Sequence, residues 1–266
     1  MTRKYKYTGV KMNLSPVVEL HQIEALRDIS RHNVRKGDIG GWIQFERNLS
    51  HKGDAWVADN AKVAGSLTEV TGDALIADNA FVNIRCKVSG ENMVTGNAVI
   101  TKTELFGNQN FINDDARVTG VTIQGRDIII NGKAQVENVL FSESAKNINI
   151  AGNAVFKNDW KMLVVTGDTI TITGNALVQD LEAMHGRLIT LIRDCVVKDG
   201  VSLNGKSVNI TDACSLEGKI IVGDNVSLLE CVTLYHTGND FVSLDSVELH
   251  GDIYQEAKVV QKMKQT

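Results

Sequence analysis

Histidine is the side chain best suited to general acid–base catalysis near neutral pH, and six histidines are spread along the 266 residues. Two of them, His185 and His236, lie in irregular segments between repeated elements, and these two are the candidate catalytic bases. The spacing couples neither histidine to a carboxylate that would orient its ring. The simpler interpretation, an exposed loop histidine, is therefore favoured for both.

Other catalytic and ligand-binding patterns are missing from the sequence. It contains no phosphate-binding loop, no dinucleotide fingerprint and no serine in a nucleophile elbow. Its histidines and cysteines do not have the spacing of a metal site. We therefore expect no metal and no cofactor in the non-catalytic interpretation.

Composition and charge indicate which class of partner the protein binds and in which cellular compartment it is found. The 28 basic and 32 acidic residues give a net charge of −4, whereas a dedicated nucleic-acid binder usually carries a basic surplus. The longest apolar runs, such as 162–165, have only four residues and are far too short to cross a membrane, and no apolar leader follows the basic N-terminus. The four cysteines form no C-x-x-C pair. These features predict a cytoplasmic protein that binds neither membrane nor nucleic acid.

The strongest signal is an internal repeat with two nested periods. A phrase consisting of a turn residue, Asp or Asn, Ala, any residue and an aliphatic residue recurs along the chain, first at 53–57. One file of aliphatic residues advances in steps of six: Val70, Ile76, Val82, Val88, Val94 and Ile100. The alanines of the phrase recur about every eighteen residues: Ala61, Ala80, Ala98, Ala116, Ala134, Ala154 and Ala176.

The two periods predict a triangular β-solenoid. Six residues make one short strand plus a corner, and alternate side chains of a strand point to the same side. Gly, Asn and Asp suit corners because they tolerate positive φ. Three such faces make one turn of eighteen residues, and stacked turns pair as parallel strands. The sequence thus predicts an all-β, single-stranded parallel β-helix over residues 42–254, with Cys86 among the inward side chains.

These faces of six residues resemble the left-handed parallel β-helix of hexapeptide-repeat proteins, from which we take the expected handedness. The segments 23–29, 34–43, 48–50 and 54–57 more specifically resemble the N-terminal part of YdcK-like bacterial and phage proteins, a group described as transferases. That resemblance implies that residues 1–41 form a small N-terminal β cap. The last residues, 255–266, are either a short capping helix or a tail.

The resemblance also implies an enzymatic alternative. Hexapeptide acyltransferases use acetyl-CoA and a histidine base in a cleft between the subunits of a trimer, which here would be His236 or His185. They tend to carry an extruded loop and a proline-containing segment after the repeats. Neither feature is found, because no turn exceeds eighteen residues by more than four and the only proline is Pro16. An acyltransferase is therefore the alternative function.

The favoured function is a non-catalytic scaffold that binds a protein partner or another copy of itself. Large apolar residues occupy outward positions of the early turns, and exposed apolar surface usually marks a contact. These candidate binding residues are Trp56, Leu75, Phe81 and Val99. The N-terminal cap could equally cover them, and the sequence leaves both possibilities open.

Overall fold

The computed structural model consists almost entirely of β-strands, and its stacked parallel strands confirm the predicted β-solenoid. Two compact units, residues 1–131 and 132–266, are described separately below. The structure describes residues 3–120, 122–123, 127–137, 139–141, 147, 149–152, 155–157, 163–165, 168–175, 177–179, 183–192, 196–198, 202–210, 215–217, 220–222, 227–229, 232–235, 242–244, 248–250 and 253–256.

The first unit contains two long N-terminal strands followed by short ones, with single turns of 3-10 helix at Ser30–His32 and Glu46–Asn48. Its strands are β1 Tyr5–Ser15, β2 Val18–Ala25, β3 Ile39–Ile43, β4 Trp56–Val57, β5 Lys62–Val63, β6 Glu69–Val70, β7 Leu75–Ile76, β8 Phe81–Asn83, β9 Lys87–Val88, β10 Glu91–Val94, β11 Val99–Thr101, β12 Glu104–Leu105, β13 Asn108–Ile112, β14 Arg117–Thr119, β15 Thr122–Ile123 and β16 Ile129–Ile130.

The short strands of this unit stack in three parallel columns. The first column contains β3, β5, β8, β11 and β14, the second β6, β9, β12 and β15, and the third β4, β7, β10, β13 and β16. Phe81 is in register with Val99, and Val99 with Arg117, so these steps are the predicted eighteen residues. One turn therefore visits three faces before the chain returns to the first.

The inside of the turns contains the residues that the six-residue spacing predicts. All six members of the aliphatic file from Val70 to Ile100 are fully buried. Ala61, Ala80, Ala98 and Ala116 are also fully buried, two positions before an inward aliphatic residue. Cys86 is buried as well, which confirms its predicted place among the inward side chains. Burial of this repeated apolar surface is the main stabilising term of the fold.

One corner of each turn is made by glycine, and we call it the glycine corner. It lies between the second and third columns and contains Gly53, Gly72, Gly90 and Gly107, all with positive φ. A Cβ built on Gly72 would lie 2.7 Å from the backbone nitrogen of Gly90 in the next turn. Only a residue without a side chain allows the turns to approach so closely.

A second corner, between the third and first columns, uses aspartate as well as glycine at positive φ, and we call it the Asx corner. Its residues at positive φ are Asp59, Asp78, Gly96 and Asp114. The amide or carboxyl side chains one position later form a ladder of hydrogen bonds between turns. Asn79 donates to Asn97 over 3.1 Å, and Asn97 donates to Asp115 over 2.9 Å.

Polar residues also occupy one inward column, where each satisfies backbone groups that the corner leaves unpaired. The Asn48 side chain donates to the carbonyl oxygens of Gly65 and Thr68. Three turns further along, the Thr103 hydroxyl lies 2.9 Å from the carbonyl of Thr101, to which it donates. These buried polar groups therefore serve the corners of the fold.

The second unit repeats this parallel stacking. Its strands are β17 Gln135–Glu137, β18 Val139–Phe141, β19 Asn149–Ile150, β20 Val155–Lys157, β21 Leu163–Val165, β22 Ile170–Ile172, β23 Leu177–Gln179, β24 Ala183–Leu191, β25 Val196–Lys198, β26 Ser202–Ile210, β27 Ser215–Glu217, β28 Ile220–Val222, β29 Ser227–Leu229, β30 Val232–Tyr235, β31 Val242–Leu244, β32 Glu248–His250 and β33 Ile253–Glu256. The longer strands β24 and β26 pair along two successive faces of the turn.

The strands of the N-terminal segment pair in antiparallel fashion, unlike the parallel strands of the turns. Strands β1 and β2 form an antiparallel hairpin, and β2 pairs antiparallel with β3. The first parallel pair joins Trp42 to Lys62. Within the described residues, the last strand ends at Glu256, and 257–266 lie outside them. The predicted boundaries 1–41, 42–254 and 255–266, like the handedness of the coil, stay predictions.

A charge placed in the inward aliphatic file should destabilise the protein strongly. Val82→Asp buries a carboxylate without a partner, and we expect it to lower the free energy of unfolding by at least about 3 kcal/mol. The control Arg117→Asp places the same charge at an exposed position and should change it by less than about 0.5 kcal/mol. Urea unfolding followed by circular dichroism measures both. Equal stability of the two variants would contradict the inward assignment of Val82.

Two glycine-to-alanine substitutions distinguish the stability cost of a steric clash between turns from the cost of an unfavourable backbone conformation. Gly72 and Gly9 both have positive φ, but a Cβ on Gly9 meets no atom within 4 Å. Gly9→Ala should cost about 1 kcal/mol for its backbone conformation alone, and Gly72→Ala should cost about 3 kcal/mol because it also pushes two turns apart. The difference in urea midpoint between the variants measures this effect, and equal midpoints would argue against tight stacking at the glycine corner.

Candidate binding surface

The N-terminal hairpin is fastened to the first turn by a buried tyrosine. The Tyr5 hydroxyl lies 2.7 Å from the carbonyl oxygen of Glu46 and 3.0 Å from that of Leu49. Its ring stacks on His51 at a centroid distance of 4.4 Å. Burial raises the pKa of Tyr5 well above its ordinary value, so the phenol is neutral near pH 7. The tyrosine therefore acts here as a structural anchor.

Lys4 is fully buried beside this anchor. Its Nζ donates to the carbonyl oxygen of Ala55 over 2.5 Å, and its backbone N–H donates to Nδ1 of His51 over 3.2 Å. Burial, assisted by the positive charge of Arg27, lowers the pKa of Lys4 to about 8. An amine with that pKa could act as a nucleophile, but a fully buried one cannot meet a substrate. Its contacts are those of a structural donor.

His51 also helps to hold the hairpin in place, because both of its ring nitrogens form hydrogen bonds. Because its Nδ1 accepts the Lys4 N–H, the ring proton resides on Nε2, which lies 3.0 Å from Oε1 of Glu46. This hydrogen bond lowers the pKa of the Glu46 carboxyl. The resulting His–Glu pair superficially resembles a base and its orienting acid, but both its ring nitrogens are occupied by the fold.

Two arginines from the loop after β2 form ion pairs with a column of carboxylates, and we call this group the arginine–carboxylate clasp. Asp54, Asp73 and Glu91 each follow a residue of the glycine corner, one per turn. Arg27 contacts Asp54 at 2.9 Å, and Arg31 contacts Glu91 at 2.6 Å and Asp73 at 3.8 Å. The arginines thereby offset the repulsion of like charges stacked on successive turns.

His32 adjoins this clasp but has no catalytic partner. Burial lowers its pKa, and a hydrogen bond with the Asp73 backbone partly opposes that effect. Its buried Nε2 has no hydrogen-bond partner among the residues that the structure describes. Over the same residues, no group of three His, Cys, Asp or Glu side chains could hold a metal ion.

The four predicted binding residues are not equivalent in the structure. Trp56 is only 1% exposed and lies beneath Gly40, where an added Cβ would be 2.6 Å from Cζ2 of the indole. Phe81 is half-buried against a cluster formed by Leu20, Trp42 and Ala64, together with Met12 and Val18. Leu75 and Val99 are half-buried. The N-terminal segment thus covers Trp56 and part of Phe81, as the second of the two possibilities requires.

Exposed apolar surface lies instead on the hairpin itself. Val17 is 88% exposed at its tip and Val10 is 51% exposed on β1, and Leu14 and Tyr7 are also exposed. The repeat pattern of the sequence does not indicate this surface. The alternation of Tyr5, Tyr7, Val10, Met12 and Leu14 was the available signal, but a register shift in the pairing of β1 with β2, between Tyr7 and Lys11, interrupts its period of two.

The two candidate bases differ in what the structure describes of them, which for His185 is the backbone alone. His185 lies in β24, where its backbone is in register with Asn204 of β26. His236 lies outside the described residues. Their catalytic roles stay predictions.

Comparison with known proteins gives no identification, since no family model and no curated protein matches the chain. Among the described residues, no helix is long and apolar enough to span a membrane.

The buried amine of Lys4 predicts a specific pH dependence of stability. Its pKa is about 8 in the folded chain against 10.5 in an unfolded one, so above pH 8 the unfolded state binds more protons and folding becomes relatively more favourable. Compared with Lys4→Met, the wild type should therefore gain stability between pH 8 and pH 9.5. Urea unfolding of both proteins across this range measures the difference. A difference that does not change with pH would show that Lys4 has an ordinary pKa.

Proposed function

We propose that this protein is a non-catalytic β-solenoid that presents a rigid surface to a macromolecular partner or to another copy of itself. The observation that carries the proposal is the exposed apolar surface of the N-terminal hairpin, with Val10, Leu14 and Val17 in contact with water. Leaving such residues exposed is unfavourable for the isolated chain, and contact with a partner removes that cost.

The contacts of the ionisable groups near the hairpin support the same proposal. Lys4, His51 and Arg27 each make hydrogen bonds or ion pairs that hold the hairpin and its following loop to the turns. A general base needs a free nitrogen or oxygen directed at a substrate. These groups instead fix the position of the exposed surface, and a fixed surface loses little entropy on binding.

The resemblance to YdcK-like hexapeptide-repeat proteins supports a bacterial or phage origin. The sequence supports a cytoplasmic location, because four cysteines are too few for a disulfide-built scaffold of this length. A protein partner suits the slightly acidic balance of the chain better than a nucleic acid does. Origin, location and partner class are thus parts of the proposal.

The acyltransferase is the competing proposal, and the feature that favours it is the six-residue spacing of the buried aliphatic file, which hexapeptide acyltransferases share. It would require a trimer whose subunits enclose His185 or His236, with acetyl-CoA bound between them.

Calorimetric titration with acetyl-CoA and with free CoA, together with the solution mass by light scattering, separates the two proposals. We expect no saturable heat at ligand concentrations up to about 1 mM, which excludes a dissociation constant in the usual range for an enzyme. Saturable binding to a trimer would overturn the non-catalytic proposal. In that case, replacing His236 or His185 with alanine and measuring acetyl transfer would identify the base.

A further inference from the structure

The third corner of the first unit, between its first and second columns, departs from the other two. We call it the basic corner, and on successive turns its residues at positive φ are Gly65, then Ile84 and Arg85, then Lys102, then Gly120. The backbone N–H of Lys102 donates to the carbonyl oxygen of Ile84 over 2.8 Å, so these turns are directly stacked.

Ile84 is an unfavourable residue for its backbone conformation. Its φ is 49°, and a β-branched side chain in the left-handed region crowds its own backbone. Gly65 and Gly120 form the same corner on other turns without that strain. The turn itself therefore does not require an isoleucine, and backbone strain of this kind is commonly found at functional positions.

The side chain of Ile84 also contributes little to the core. It is 49% exposed, and Leu67, which belongs to the same corner one turn earlier, is 58% exposed. An added Cβ on Gly65 would lie 3.1 Å from the backbone nitrogen of Ile84, which shows how closely the two turns approach. Two aliphatic side chains thus face water on adjacent turns.

Two basic residues, Arg85 and Lys102, belong to this corner. Arg85 and Lys102 are exposed, and neither forms an ion pair with any residue that the structure describes. Lys87 on the neighbouring strand β9 is different, because its Nζ lies 3.2 Å from Oε1 of Glu104. The corner thus combines two exposed aliphatic side chains with two cations that form no ion pair within the described residues, in a protein whose net charge is −4.

We propose that the basic corner docks an acidic segment of a partner protein, one that carries apolar side chains between its carboxylates. Leu67 and Ile84 would bury the apolar side chains, and Arg85 and Lys102 would pair with the carboxylates. This inference rests on the proposed binding function and adds to it a second surface and the chemistry of the partner.

A protein segment fits these features better than a lipid surface or a nucleic acid. Binding to anionic lipid by charge typically uses four to eight clustered lysines or arginines, and this corner has two. The net negative charge of the chain would repel both a phosphate backbone and an anionic bilayer. A short peptide that touches only the corner escapes most of that repulsion, because salt screens distant charges.

The direct test is the binding of a fluorescent, end-capped peptide of alternating leucine and glutamate to the full chain, measured by anisotropy. Arg85→Glu combined with Lys102→Glu should weaken binding at least about tenfold, because two attractive contacts become repulsive. The control pair Lys36→Glu and Lys52→Glu makes the same change of net charge at exposed positions elsewhere and should leave the affinity within about twofold.

A second variant tests whether Ile84 is maintained for binding. Asparagine tolerates positive φ, as Asn33 does in this chain at a φ of 55°, so Ile84→Asn should raise the melting temperature. The same variant should bind the leucine–glutamate peptide more weakly, because it lacks the aliphatic side chain. A lower melting temperature together with unchanged affinity would show that Ile84 serves the core and would overturn the inference.

Other outcomes are equally decisive. No peptide binding, equal binding of a leucine–lysine peptide, or preferential binding to phosphatidylserine vesicles or to single-stranded RNA would each overturn the acidic-segment proposal. None of these results would alter the CoA titration, on which the non-catalytic assignment depends. Conversely, a CoA complex would overturn that assignment even if the peptide bound at the basic corner.

Discussion

The close stacking of one turn on the next is the constraint on which the first unit depends. Inward aliphatic side chains from Val70 to Ile100 exclude water only if the turns stay in register, and the eighteen-residue steps from Phe81 to Val99 and on to Arg117 maintain that register. The glycine corner permits it, since a Cβ on Gly72 would strike the backbone of Gly90. The apolar interior and the glycine corner therefore both serve the close stacking of the turns.

The parts of the fold that follow from this local repeat could be predicted from the sequence. The six-residue file, the burial of Cys86 and the parallel pairing all arise from neighbours one turn apart, and all are found. The burial of Trp56 under Gly40 could not be derived in this way, nor could the Arg27–Asp54 clasp. Both depend on how an antiparallel segment outside the repeat folds back on the first turns, which a repeat pattern does not encode.

The candidate surfaces could also be predicted only in part, because the repeat does not encode which residues the N-terminal segment covers. Leu75, Phe81 and Val99 are half-buried between fully buried neighbours, but exposure at such positions depends on what the N-terminal segment covers, as Trp56 and Phe81 illustrate. The surfaces that remain exposed lie where the chain departs from the repeat, at the tip of the hairpin and at the basic corner. Regular residues of this protein serve the stacking of turns, and the irregular ones are available for recognition.

Amide hydrogen exchange of the intact chain, with and without the leucine–glutamate peptide, tests this division between stacking and recognition most directly. The account predicts slower exchange on binding at residues 83–86 and 101–103, with no change at the glycine corner around residues 53 and 72. Slower exchange confined to the glycine corner, or no change at any residue, would contradict it.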